Sequence, residues 1–215
     1  MYEKINITEN TLRVLSLFTH GFKRDLYIRE IERSLDISPR TAQLVLEDLE
    51  SKGVLHSCTR GKIRLFSLKR SRTTSKYLSL AEQYKAISFF QEKPLISDVV
   101  SAIDKHADGI GMVFGSYVKC SEDKSSDLDI FVAGRIDEEA VEKISRKYKI
   151  EINVKCYPDD IFRSQIENDI LLKEVLDNHI IFKGIEDLLK MVMPDHEDRM
   201  VQEKERRSEA GRAKP

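Results

Sequence analysis

At Gly53 the chain changes period. Upstream, SPRTAQLVLEDLESKG places Ala42, Val45, Leu46 and Leu49 on one helical face, with Ser38 as N-cap, Pro39 at the first helical position and Gly53 as terminator. Downstream, VLHSCTRGKIRLFSL alternates apolar and polar residues in two runs around Thr59-Arg60-Gly61-Lys62, which predicts a β-hairpin with Arg60, Lys62 and Arg64 near its tip. A helix followed at once by a two-stranded ribbon has two one-sided apolar surfaces to bury, and few arrangements do this.

Two more helices are predicted before Ser38. Asn6 and Glu9 have capping-box spacing, and Leu12, Leu15 and Phe18 then recur at helical intervals until Gly21. The piece LYIREIERSLDI puts Ile28, Ile31 and Leu35 on one face. A supporting helix, then two short helices across a tight turn, make a helix-turn-helix. With the hairpin, residues of roughly 5–70 resemble a winged helix-turn-helix DNA-binding domain, assigned to 1–72. The resemblance implies that the third helix enters the major groove, with Arg40, Thr41 and Gln43 at base edges, and that Arg60 and Lys62 meet phosphates along the wing. Glu47, Asp48 and Glu50 on the same helix would repel phosphate, which leaves a protein-protein or dimerisation module as the alternative.

Charge is divided along the chain. Residues 1–85 carry 16 Lys+Arg against 10 Asp+Glu, whereas residues 86–215 carry 20 against 27, so two domains with different partners are expected. No apolar run approaches the roughly 20 residues a membrane helix needs, and MYEKINITEN lacks the features of a secretory signal, so a cytoplasmic location is expected. The three cysteines (58, 120 and 156) and five histidines are too scattered for a zinc site.

Residues 73–93 predict a connector helix ending before Pro94, with Tyr77, Leu80, Ala81, Tyr84 and Ile87 on one side. That side would pack a homodimer or fold back on the second domain. From Leu95 onward, helix-like and strand-like pieces alternate, ending in HIIFKGIEDLLKMV, a strand running into a short helix; this predicts a mixed α/β domain over 94–193. The charged tail, 194–215, has no core-forming periodicity and is expected to fray or be disordered.

Within the second domain, Gly115-Ser116 follows the apolar strand GMVF and precedes a segment that can begin a helix, a placement suited to phosphate. Asp127 and Asp129 lie two apart in DLDI, so on a strand both carboxylates project to one side and invite a cation between them. Gly-Ser, ten residues, then Asp-x-Asp resembles the signature of the minimal nucleotidyltransferases of the DNA polymerase β-like superfamily. The overall fold class expected is therefore α+β, a winged helix-turn-helix followed by a small mixed-sheet nucleotidyltransferase-like domain.

That resemblance implies transfer of a nucleoside monophosphate from an NTP, ATP being the expected substrate, with pyrophosphate leaving. Gly115 and Ser116, with Lys119 and Ser126, would bind the nucleotide, and Asp127 and Asp129 would hold Mg²⁺ or Mn²⁺. A third acid from the adjacent strand completes the family's metal site. In KIEINV, Glu151 and Asn153 share one side, and either register is open; Glu151 is the candidate for catalysis and metal binding, and Asn153 would leave the site without its activating carboxylate. Tyr117 stands where the family has arginine and Cys120 where it has a second glycine. The acceptor, protein, RNA or small molecule, is not specified. The alternative reading is a DNA-binding transcriptional regulator whose degenerate second domain binds nucleotide or mediates dimerisation without catalysis.

Overall fold

A computed structural model describes residues 5–119, 121–122 and 126–194. Cys120 and the tail from residue 195 lie outside the described residues. The fold is α+β, with two separate sheets.

The first part comprises α1 (Glu9–Phe18), α2 (Ile28–Leu35), α3 (Pro39–Ser51), β1 (Leu55–Arg60) and β2 (Ile63–Leu68). The cap of α1 is Thr8 rather than Asn6. The Thr8 hydroxyl accepts the Thr11 N–H at 3.2 Å while the Thr11 hydroxyl accepts the Thr8 N–H at 3.3 Å. The reason is the start of the ladder: the Thr8 carbonyl already accepts from the Leu12 N–H, so Glu9 is the first helical residue and too early to close a box. Val14, Leu15 and Phe18 fill the core, and Leu12 is only half-buried. Ser38 caps α3 as predicted, accepting the Thr41 N–H at 3.0 Å. The β1–β2 register pairs Leu55 with Leu68 and Arg60 with Ile63, leaving Gly61-Lys62 as a two-residue tip with Gly61 at φ 63°. Leu26 and Phe66 exchange backbone hydrogen bonds of 2.9 and 2.8 Å, adding a third short rung to the wing.

The rest comprises α4 (Arg72–Glu92), α5 (Pro94–Asp104), β3 (Ala107–Phe114), β4 (Leu128–Ile136), α6 (Glu138–Tyr148), β5 (Ile152–Tyr157), α7 (Asp159–Gln165), α8 (Ile170–Asp177), β6 (Ile180–Lys183) and α9 (Ile185–Val192). The sheet order is β5-β4-β3-β6, with β4 and β5 parallel across the α6 crossover and the other pairs antiparallel. Alternation along β4 divides the core. Leu128, Ile130 and Val132 pack toward α5 and α6, whereas Phe131 and Ala133 join Phe162, Leu172 and Val175 on the other face.

Helix α4 packs on α1, on β6 and on α9. It buries Tyr77, Leu78, Ala81 and Phe89, so the side predicted from Tyr77, Leu80, Ala81, Tyr84 and Ile87 is split: Leu80 is 43% and Ile87 57% exposed. A helix sandwiched between two partners buries more than one stripe, and the single-stripe reading misses this. One apolar cluster accordingly runs from Val14 and Phe66 through Leu78 to Leu188. At the same junction, Glu82 is fully buried. Its carboxylate accepts from Lys85 Nζ at 2.9 and 3.0 Å and lies 3.3 Å from His179 Nε2, and Lys85 also donates to the Thr19 hydroxyl at 3.1 Å.

Candidate functional site

Two surfaces carry the residues singled out from the sequence. The first is α3 with the hairpin. Arg40 is exposed, and Thr41 and Gln43 are half-exposed. Arg40 Nη1 donates to Gln43 Oε1 at 3.3 Å, and Gln43 Nε2 donates to Glu47 Oε1 at 2.8 Å, so three residues of one face are linked. The acids that counted against nucleic acid each have a partner. Asp48 pairs with Lys52 at 2.6 Å, and Glu50 pairs with Arg64 at 2.5 Å while accepting from the Ser57 hydroxyl at 2.6 Å.

Arg64 is thereby tied down rather than presented at the tip. Its Nε donates to Ser57 at 3.0 Å and its guanidinium lies 4.9 Å from the Phe66 ring centroid. It braces the hairpin against α3. Arg60 is 73% exposed, 3.6 Å from Asp25, and Lys62 is exposed with no ion pair among the described residues. Leu44, absent from the sequence-derived set, is exposed on the same face of α3. It could have been found by asking which apolar residue falls outside the stripe of Ala42, Leu46 and Leu49.

The second surface lies at the end of β3. Phe114 pairs with Asp129 and Asp129 with Asn153, so the loop after β3, the Asp-x-Asp strand and β5 converge. Gly115 has φ 76°, and a Cβ there would sit 2.1 Å from Asp129 Oδ2; only glycine fits beneath that carboxylate. Asn153 Nδ2 donates to Asp129 Oδ1 at 3.1 Å. Burial chiefly raises the Asp129 pKa, assisted by Asp127 and Glu174, against the Asn153 hydrogen bond and Lys155.

The parallel register answers the question left open between residues 151 and 153. Asn153 is the residue beside Asp129. Glu151 is exposed just ahead of β5, where its carbonyl accepts the Leu128 N–H at 2.8 Å. Among the described residues, no three Asp, Glu, His or Cys side chains come together as a metal site. The expected third acid, Glu151, is thus not the strand neighbour of Asp129.

The expected helix start after Gly115-Ser116 is instead a turn. The Lys119 N–H reaches the Gly115 carbonyl and the Ser121 N–H the Ser116 carbonyl, both at 3.1 Å. Among the described residues, no helix begins directly after Gly115-Ser116. Lys119 Nζ pairs with Glu174 of α8 at 2.8 Å, and the Tyr117 hydroxyl donates to the Ser126 carbonyl at 3.3 Å, closing the loop. Glu174 and Lys155 are the neighbours of this site that sequence reasoning missed, since neither adjoins the motif in the chain.

No family model matches the sequence, and no curated protein matches it. Among solved structures, that of a Lactococcus lactis ZitR mutant is similar over 49% of this chain and 78% of that one, at 20% identity and a TM-score of 0.32. A likeness that weak carries no argument about function. No helix among the described residues is long and apolar enough to cross a membrane.

Proposed function

We propose that the chain is a DNA-binding transcriptional regulator whose second domain senses a nucleotide without transferring it. The observation that carries this reading is the α3–hairpin face. Arg40 is presented at the start of α3, the acids behind it are bonded to Gln43, Lys52 and Arg64, and the hairpin tip offers Arg60 and Lys62. Such a face suits a major groove flanked by phosphates. For the second domain, the resemblance of Gly115-Ser116 and Asp127-x-Asp129 to a nucleotidyltransferase signature is the support for a nucleotide, and Asn153 beside Asp129 is the support for the lack of transfer.

The test is site selection from a random duplex pool, followed by affinity against salt. A selected sequence is expected, with log K falling linearly in log salt, and Arg40→Ala should relax preference at one position by ~1–3 kcal/mol. Absence of binding to every duplex at low salt would remove the DNA reading. For the second domain, α-labelled ATP with Mg²⁺ or Mn²⁺ is expected to leave no label on the protein or on macromolecules of a host extract. Labelling that disappears in Asp127→Asn and Asp129→Asn would replace the sensor with an enzyme.

A further inference from the structure

Leu44 is 49% exposed on α3. It lies four residues after Arg40 and three before Glu47, so these residues and Gln43 occupy one face. Core packing does not account for it, because Ala42, Leu46 and Leu49 supply the buried side of the helix. Its polar neighbours are linked, Arg40 donating to Gln43 Oε1 and Gln43 Nε2 to Glu47, which leaves the Gln43 amide one lone pair and one N–H for a base. Leu44 is the exposed apolar side chain among them.

On a duplex lying along α3, the one apolar group that the major groove displays is the 5-methyl of thymine. We infer that Leu44 reads a thymine methyl, next to the base contacted by Arg40. This rests on the DNA reading above. The occupant is duplex DNA rather than a protein surface because Arg40 stands one turn before the leucine on its own helix, and the hairpin tied to that helix through Glu50 and Arg64 carries exposed Arg60 and Lys62. That charge complements phosphate.

The experiment uses the full chain and a selected duplex in which each thymine in turn is replaced by deoxyuridine, which lacks only the methyl. At one position wild-type affinity should fall about fourfold, the factor that burial of one methyl-sized group supplies. Leu44→Ala should bind the thymine and deoxyuridine forms alike at that position, and Leu44→Met should keep the preference. Wild-type indifference to deoxyuridine at every position would overturn the inference while leaving DNA binding intact, as would a preference that survives in Leu44→Ala. Failure to bind any duplex would overturn both, and the two failures are told apart by the unsubstituted duplex.

Discussion

Gly115 and Asn153 show how single side chains define the second site. Gly115→Ala would place a methyl against the Asp129 carboxylate at a left-handed backbone position, so a loss of about 1–3 kcal/mol is expected in denaturant unfolding. Asn153→Asp sets a second carboxylate directly beside Asp129. Without a cation the two repel, and Mn²⁺ should raise the melting temperature of this variant and not that of the wild type. An equal response of both proteins to Mn²⁺ would mean that the wild type holds the cation with Asn153 in place. Asp129 was legible as a strand residue from period-2 alternation, whereas Asp127, expected on the same strand, lies just ahead of β4. The partner at residue 153 was not legible, since alternation gives Glu151 and Asn153 the same side and only the pairing of β4 with β5 selects between them.

Among the elements, the hairpin and α3 act together through Glu50, Ser57 and Arg64. On the proposed DNA reading, Arg64→Ala should speed amide exchange in the hairpin and weaken binding without changing its salt dependence, since Arg64 is held by Glu50 and Ser57. Lys62→Ala should do the reverse, reducing the salt slope by about 1 while leaving the hairpin protected. If both variants lower the slope equally, Arg64 is a phosphate contact after all. These helices and strands were readable at the level of caps and periods, as Ser38, Pro39 and the Gly61 turn demonstrate. Ion-pair partners were not readable, because Glu50 and Arg64 are fourteen residues apart and meet only once the hairpin folds back.

At the scale of the whole molecule, the junction of α1, α4 and the α8–β6 link is held by a buried polar network around Glu82. Burial alone would raise the pKa of this carboxyl, but the charges of His179 and Lys85 outweigh it, bringing the value from 4.5 to about 2. A carboxyl with a lower value in the folded than in the unfolded state adds stability above the unfolded value and loses it as pH falls through the folded one. Stability is therefore expected to decline from about pH 4.5 toward about 2, and Glu82→Gln should flatten that part of the profile. Glu82→Ala leaves Lys85 without its carboxylate and should cost ~3–5 kcal/mol in denaturant unfolding. An unchanged acid profile in Glu82→Gln would assign the decline to other carboxyls.

Local patterning was enough to determine the elements, the α+β class and the hairpin, because caps, turn residues and apolar periods act over a few neighbouring residues. It also picked out Gly115 and Asp129, which meet at the end of β3. The tertiary structure alone decided that α4 is buried on more than one side, that Glu82 meets His179, that Arg64 is a brace, and that an amide faces Asp129. Each of these depends on residues distant in the chain being brought together by packing and strand register, which no local period encodes.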